Sequence, residues 1–133
     1  MALRKITHLL DTHVWVWTVN RDPLPARVLA AIADPNNRLA IAAISIWEVA
    51  KLVEKGRILL AGGLPDWFSR ALPPSLHVEP ITAAVAAQST NLPGFHQDPA
   101  DEMIVATGLI LNAVLITSDR RIRHWRGIQT LWN

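Results

Sequence analysis

The chain has 133 residues, half of them apolar, which is enough to build one domain around a proper core. It contains no cysteine, so disulfides, thiolate zinc sites and cysteine nucleophiles are excluded, and any metal must be bound by oxygen or imidazole ligands. The formal net charge of +2 permits a polyanionic partner without requiring one. We therefore expect a single domain over residues 1–133.

No segment predicts membrane insertion or export. An uncharged run of 16 residues over 103–118 is shorter than the roughly 20 apolar residues of a membrane helix. It predicts a buried helix, a turn at Asn112 and a buried strand. Near the N-terminus, His8 and Asp11 interrupt the apolar stretch before it could form the core of a signal peptide. Together with the lack of cysteine, this predicts a cytoplasmic protein with no membrane association.

The chain alternates apolar strands with helices. The first strand is predicted over 6–11, followed by a short helical or irregular stretch through Trp17. In chain order the next predicted elements are a helix over 24–33, a strand over 38–44, helices over 45–56 and 64–72, a strand over 76–81, helices over 82–90 and 98–112, and strands over 113–119 and 128–132. Because the strands are apolar on both faces, this order predicts an α/β fold with three layers, a mostly parallel sheet between helices.

Acidic residues stand where the predicted strands end. Asp11 and Asp119 follow the strands over 6–11 and 113–119, and Glu48 lies in the first turn after the second strand. Asp98 and Asp101 begin the helix that precedes Asp119. Ligands of open parallel sheets bind beyond the carboxyl ends of the strands, and crossover helices begin near that edge. Up to five acids are therefore expected at one rim.

Such a cluster needs protons or a cation. Two carboxylates about 4 Å apart repel by roughly 4 kcal/mol at an effective dielectric constant near 20. Oxygen ligands without thiols favour Mg²⁺ or Mn²⁺, which would activate a water and neutralise charge on a phosphoryl oxygen. Thr117 points the same way as Asp119 on its strand, so its hydroxyl is placed to orient Asp119 or a water on the metal.

Each acid also has a purely structural interpretation. Glu48 completes Ser-x-x-Glu with Ser45, a helix capping box, and Lys51 is placed to pair with it. Asp98 is expected to be mainly structural, as an N-cap followed by proline, and Asp101 suits the helix dipole.

The two remaining acids differ, and only Asp11 is hard to explain in this way. Asp119 would begin a turn, whereas no helix cap obviously requires Asp11. The joint pattern outweighs four separate coincidences.

The segment "RRIRHWRG", residues 120–127, concentrates basic and aromatic side chains. Guanidinium groups and an aromatic face suit single-stranded nucleic acid. An equally weighted interpretation is a solvated strand end with Trp125 packed inward. On the first interpretation, the RNA-binding candidates are Arg120, Arg121, Arg123 and Arg126.

Histidines and aromatic residues supply further candidates. His13 and His96 flank the predicted rim but lack zinc spacing, which favours a structural or substrate-contacting role. Trp47, Trp67 and Phe68 lie on helices that either expose an apolar face to another chain or bury it.

Four stretches in order, "LLDTHVWVW", "SIWEVAKLVEKGRI", "HQDPADEMIVATG" and "LITSDRRI", resemble the motifs of the PIN-domain family, and more closely its VapC-type toxin branch. The resemblance covers nearly the whole chain. It implies a metal-dependent ribonuclease of a type II toxin-antitoxin system, on a three-layer α/β/α fold, with a small VapB-like antitoxin as partner and a homodimer as the assembly. By motif position, the family's acidic quartet and its accompanying hydroxyl fall on Asp11, Glu48, Asp101, Asp119 and Thr117.

The third motif departs from the family at two positions. Ala100 stands where a bulky aromatic residue is common, and Glu102 replaces a frequent arginine, adding negative charge beside the site.

Because the quartet is intact, activity is still expected. In the hypothesis, Asp11, Asp101 and Asp119 bind Mg²⁺ or Mn²⁺, with Glu48 bound directly or through water. An activated water would attack the RNA phosphodiester in line, while the arginines attract RNA by charge.

Two alternatives stay open at this point. A phosphatase of the haloacid-dehalogenase type also places an aspartate nucleophile after its first strand, but normally has a second aspartate where this chain has His13. A non-catalytic protein- or RNA-binding module would use the acids as helix caps and the basic C-terminal segment for docking.

Overall fold

A computed structural model describes residues 5–133, so residues 1–4 of the predicted domain 1–133 lie outside the described part. Strands and helices alternate along most of it, as the apolar pattern predicts. In chain order the elements are β1 (His8–Leu10), α1 (Thr12–Asn20), α2 (Ala26–Ala33), β2 (Leu39–Ala42), α3 (Ala43–Glu54), α4 (Gly63–Ala71), β3 (His77–Glu79), α5 (Ala83–Ser89), α6 (Pro99–Leu111), β4 (Val114–Ile116), α7 (Arg120–His124) and β5 (Thr130–Leu131).

The five strands form one parallel sheet in the order β3-β2-β1-β4-β5. In its register Leu9 of β1 lies opposite Ala40 of β2 on one side and Leu115 of β4 on the other. The strand order reverses between β1 and β4. This switch point is where parallel sheets of this kind bind their ligands, at the carboxyl ends of the strands.

Alternation along the strands divides the core into two clusters, one on each face of the sheet. Leu10 and Ile116 belong to the cluster that includes Trp15 and Trp67, while Leu9 and Leu115 belong to the other. Because successive side chains of a strand point to opposite faces, uniformly apolar strands fit a sheet covered on both sides. The fold is the predicted three-layer α/β/α arrangement.

The predicted elements are confirmed, with shifts at their ends. The run 103–118 is buried helix, then Asn112 in the left-handed conformation with a φ of 50°, then β4. The stretch after Asp11 is a regular helix, α1, through Asn20. Among residues 5–133, no helix is both long enough and apolar enough to cross a membrane.

The prediction of a strand end over residues 120–127 is wrong. Asp119 begins a five-residue helix, α7, and the last strand covers only Thr130 and Leu131. Ile122 of this helix is buried in the cluster that contains Leu9, which explains why so short and basic a segment is helical.

Candidate active site

Asp11 lies at the junction of β1 and α1 and is 8% exposed. Its Oδ1 accepts a hydrogen bond of 2.8 Å from the backbone N–H of Thr12, so Asp11 is the N-cap of α1. The expectation that no helix cap involves Asp11 is therefore wrong. Its Oδ2 accepts a second bond, of 2.6 Å, from the Thr117 hydroxyl.

Thr117 links the two strand ends at the switch point. It is fully buried just after β4, where its hydroxyl donates to Asp11 and accepts a 3.1 Å bond from the backbone N–H of Asp119. One hydroxyl therefore fixes the carboxylate that follows β1 and the backbone that carries Asp119.

Glu48 lies in α3, but the predicted capping box is wrong. The helix begins at Ala43, so Ser45 and Glu48 are inside it, and its N-cap, Ala42, makes no side-chain cap bond. Ser45 Oγ instead lies 2.8 Å from Thr12 Oγ1, which donates to Glu48 Oε1 over 2.5 Å. Lys51 pairs with Glu54 at 3.2 Å and not with Glu48.

Asp101 enters the site from the first turn of α6. Asp98 is the N-cap of that helix, as predicted, and accepts a 3.1 Å bond from the backbone N–H of Asp101. Because Asp98 caps the helix, the Asp101 carboxylate is not needed as a cap. It faces His96 instead, whose Nε2 lies 2.7 Å from Oδ2. Of the two departures in this motif, Ala100 is buried, and the Glu102 side chain does not line the cleft that Asp101 shares with the other acids.

Asp119 is the N-cap of α7, and its Oδ1 accepts from the backbone N–H groups of Arg121 and Ile122. The Arg121 guanidinium lies 3.8 Å from Asp119 Oδ2 and 3.7 Å from Asp101 Oδ2. It therefore bridges two of the predicted acids from the solvent side, with 62% of its side chain exposed.

The acidic side chains line one cleft with a volume of about 470 Å³. It contains all four acids of the predicted quartet, together with Asp98, His13 and Arg121. Four further lining residues were not predicted as site residues from the sequence: Trp17, Leu52, Arg57 and Ser118. The full lining is Asp11, His13, Trp17, Glu48, Leu52, Arg57, Asp98, Asp101, Ser118, Asp119 and Arg121.

Burial and mutual repulsion make three of these carboxylates hard to ionise. Burial raises the pKa of Asp11, although the hydrogen bonds from Thr117 and Thr12 oppose the rise. Burial also raises the pKa of Glu48, and it raises that of Asp101 to about 6. In each case neighbouring acids add to the rise, because the ionised carboxylates share one low-dielectric cleft.

Known proteins are similar to this chain in sequence and in fold. A family model described as the PIN domain matches residues 8–127. The chain belongs to the PIN-domain family. Ribonuclease VapC22 from Mycobacterium tuberculosis (strain ATCC 25618 / H37Rv) is 37% identical over 121 residues, which cover 90% of this chain and 92% of that protein. The resemblance found in the four motifs is thereby confirmed.

Solved structures show the same fold at lower identity. The crystal structure of VapBC2 from Rickettsia felis bound to a DNA fragment from their promoter matches with a TM-score of 0.72 and 18% identity, covering 96% of this chain and 100% of that chain. FitAcB from Neisseria gonorrhoeae matches with a TM-score of 0.68 and 21% identity, covering 96% and 97% respectively. These similarities establish the fold of this PIN-domain chain.

The donor set of the cleft fits a hard divalent cation, the kind of cofactor on which VapC nucleases of the PIN family generally depend. The ligand atoms are carboxylate oxygens, and each of the four acids has at least one oxygen that accepts no more than one hydrogen bond and so keeps a lone pair for a cation. Within residues 5–133, no three carboxylate or imidazole side chains are already drawn together around one ion position. Each acid instead makes a hydrogen bond to a protein donor: Asp11 to Thr117, Glu48 to Thr12, Asp101 to His96 and Asp119 to the start of α7.

The predicted RNA-binding arginines lie in three different places. Arg121 lines the acidic cleft, whereas Arg123 and Arg126 line a separate pocket of about 320 Å³ beside Trp125. The Arg123 guanidinium lies 3.5 Å from the carbonyl oxygen of Ser118, a residue of the cleft wall. Arg120 is exposed and, among residues 5–133, makes no ion pair.

The apolar candidates for a partner surface also separate. Trp67 is fully buried, with its ring centroid 5.0 Å from that of Trp15, and Phe68 packs beside them. Trp47 is 54% exposed on α3, with Lys51 Nζ 5.9 Å from its ring centroid. Only Trp47 of the three is placed to contact another chain.

Proposed function

We propose that this PIN-domain chain is a metal-dependent endoribonuclease, the toxin of a type II toxin-antitoxin pair. The observation that carries the proposal is the convergence of Asp11, Glu48, Asp101 and Asp119 on one cleft at the switch point of the sheet. A relative of nearly the same length, 37% identical, is named a ribonuclease, which supports the substrate class.

The cation proposed for the cleft is Mg²⁺ or Mn²⁺, bound by Asp11, Asp101 and Asp119, with Glu48 bound directly or through water. When bound, such a cation supplies an activated water and neutralises charge on the phosphodiester. The raised pKa values support this assignment, because burial and, to a smaller extent, repulsion disfavour the ionised carboxylates, and a divalent charge offsets both effects.

The remaining polar groups hold this arrangement in place. Thr117 fixes Asp11, and His96 fixes Asp101, in each case through a hydrogen bond to one carboxylate oxygen. His13 lies exposed on the cleft wall, where it would contact the substrate without binding the metal.

RNA is proposed to cross the cleft on a basic path. Arg121 and Arg57 line the acidic cleft and would contact phosphates next to the scissile bond. Arg120, Arg123 and Arg126 continue the positive charge along α7 toward Trp125.

The proposed protein partner is a small VapB-like antitoxin, and the proposed assembly is a homodimer. Similar solved structures include a toxin-antitoxin complex from Klebsiella pneumoniae, which is 19% identical with a TM-score of 0.64 over 92% of this chain and 95% of that chain. Trp47 is 54% exposed on α3 and is therefore accessible to another chain.

The test is RNA cleavage by the purified protein with Mg²⁺ or Mn²⁺, compared with Asp11→Asn. We expect the wild-type protein to cleave single-stranded RNA only with the metal, and the variant to lose at least 100-fold in rate, about what one essential electrostatic group contributes. Undiminished metal-dependent cleavage by Asp11→Asn would refute the assignment. Sequencing the RNA ends made only by the wild-type protein identifies the target.

A second candidate, a non-catalytic binding module, is favoured by one set of contacts. Asp11, Asp98 and Asp119 are all N-caps, which is the role that such a module would give them. Calorimetry with Mn²⁺ distinguishes the two, since a module would bind no metal at millimolar concentration. The haloacid-dehalogenase alternative is favoured by no contact, because His13 stands where its second aspartate is required.

A further inference from the structure

Three side chains from two helices form a continuous hydrogen-bonded chain behind the cleft. Thr12 is the first residue of α1, while Ser45 and Glu48 are three residues apart in α3 and so lie on the same side of that helix. Thr12 Oγ1 lies 2.8 Å from Ser45 Oγ and 2.5 Å from Glu48 Oε1. Both hydroxyls are buried, with Thr12 1% and Ser45 0% exposed.

The direction of this chain follows from the number of protons. A threonine hydroxyl has one proton, and an ionised carboxylate only accepts. Thr12 therefore donates to Glu48, and the Ser45 hydroxyl must donate to Thr12. Successive bonds of this kind strengthen one another in a low-dielectric interior, so the bond that reaches Glu48 is also supported from behind by Ser45.

Other helical hydroxyls of this chain behave differently. Thr18 donates to the carbonyl oxygen of Val14 and Thr107 to that of Met103, both over 2.7 Å, which is the usual local bond within a helix. Thr12 and Ser45 instead bond across to another element. Helix capping does not explain this, because α3 begins two residues before Ser45.

The orientation of Glu48 is what the chain determines. Thr12 bonds to Oε1 alone, and within residues 5–133 no hydrogen bond is made to Oε2. Glu48 lines the cleft together with the other three acids. Holding one oxygen of a flexible side chain leaves the other in a fixed place, which is how a partner behind a metal ligand tunes affinity.

We propose that Thr12, supported by Ser45, is the positioning residue for Glu48, directing its free oxygen toward the cation and the water in the cleft. The inference rests on the proposed function. It assigns a role to Thr12, which follows Asp11, and to Ser45, which the sequence pattern predicts to be a helix cap.

The test compares Thr12→Val, which keeps the branched shape but removes the hydroxyl, with Thr12→Ser, which keeps it. Thr18→Val is the matched control, since it removes a hydroxyl from the same helix that bonds only to the backbone. Mn²⁺ affinity is measured by calorimetry, kcat and KM with single-stranded RNA, and folding by circular dichroism.

We expect Thr12→Val to weaken Mn²⁺ binding and to lower kcat by about 10-fold or more, the usual effect of losing a group behind a metal ligand, with KM nearly unchanged. Thr12→Ser should stay close to the wild-type values in Mn²⁺ affinity and kcat, and Thr18→Val should change neither. Ser45→Ala leaves the Thr12 hydroxyl in place and should lower Mn²⁺ affinity and kcat by a smaller factor. This variant replaces Thr12→Val as the test if Thr12→Val does not fold.

Wild-type Mn²⁺ affinity and kcat in Thr12→Val, or equal losses in Thr18→Val, would overturn the positioning role. In either case, inactivity of Asp11→Asn in the same assay would leave the proposed nuclease standing. Absence of both Mn²⁺ binding and cleavage in the wild-type protein would instead refute the nuclease and the positioning role together.

Discussion

The Thr117 hydroxyl donates to Asp11 Oδ2 over 2.6 Å, joining two residues that are 106 positions apart in the sequence. The bond crosses from the end of β4 to the end of β1, the neighbouring strands between which the sheet order reverses. It is also the largest interaction that opposes the effect of burial on the pKa of Asp11. One hydroxyl therefore acts on both the position and the charge of the buried acid.

Thr117→Val should lower both stability and metal affinity. The valine keeps the side-chain shape but leaves Asp11 Oδ2 without its donor, which we expect to cost about 1–3 kcal/mol in the free energy of unfolding. The pKa of Asp11 should rise further, so Mn²⁺ binding near neutral pH should weaken by about 10-fold. Thermal melting and Mn²⁺ calorimetry measure the two effects. Thr117→Ser, which keeps the hydroxyl, should restore most of both, and failure of that rescue would contradict the explanation.

The stability of the metal-free protein should fall as pH rises. The pKa of Asp101 is about 6 in the folded chain against an ordinary value of 3.8, and the pKa values of Asp11 and Glu48 are raised in the same direction. At pH values between the ordinary pKa and the raised pKa of Asp101, the folded chain holds more protons than the unfolded chain. The free energy of unfolding therefore decreases as the pH rises from about 4 through about 6.

Thermal melting in EDTA across this pH range measures the effect. Asp101→Asn should flatten the profile, whereas Asp22→Asn, which changes an exposed aspartate outside the cleft, should not. Mn²⁺ should raise the Tm more near neutral pH than in acid, because the ligands must lose their protons to bind it. A Tm that increases with pH through this range would contradict the sign.

Arg121→Gln should weaken RNA binding and make it less dependent on salt. The Arg121 guanidinium is the exposed cation beside Asp101 and Asp119, so it is placed to meet phosphates that approach the acids. Removing one phosphate contact should reduce the slope of log affinity against log salt by about 0.7 for a single strand. Anisotropy with labelled RNA, in the Asp11→Asn background to prevent cleavage, measures both quantities. Lys5→Gln is the control. It removes an exposed charge before the amino end of β1, away from the acids at the carboxyl ends of the strands, and should leave the slope unchanged.

Gly127→Ala should destabilise the protein. A Cβ at this position would overlap three atoms of the Trp125 ring. That ring cannot easily move, because its Nε1 donates to the carbonyl oxygen of Pro93 over 2.8 Å and it packs edge-on against Phe95, with centroids 5.2 Å apart. We expect a loss of about 1–3 kcal/mol, measured as a fall of the denaturant midpoint. Gln129→Ala, at an exposed position nearby, is the control, and an equal loss there would contradict the packing argument.

The positions of the strands and the convergence of the acidic residues could be predicted from the sequence, because both follow from the pattern of apolar segments along the whole chain. Strands that are apolar on both faces imply a covered parallel sheet, and the topology of such a sheet then brings Asp11 and Asp119 to one edge. What could not be predicted is local. Residues 42–44 are all apolar, so nothing in the pattern marks the start of α3, and Ser45 resembled a cap.

The missed helix has a similar cause. The five residues of α7 are too few to show helical periodicity, and four of the five are basic, so the burial of Ile122 is not visible in the pattern. The cap that Asp11 provides for α1 was missed because the stretch after it is apolar on nearly every side.

The strand β5 has only two residues, and the backbone N–H of Thr117 donates to the carbonyl oxygen of its Leu131 over 3.2 Å. An edge segment secured by so few bonds opens at a smaller free-energy cost than the interior strands. Each opening removes one hydrogen bond of the backbone that carries the hydroxyl bonded to Asp11. Gentle heating should thus inactivate the enzyme reversibly at temperatures where its far-ultraviolet circular dichroism still reports an intact fold.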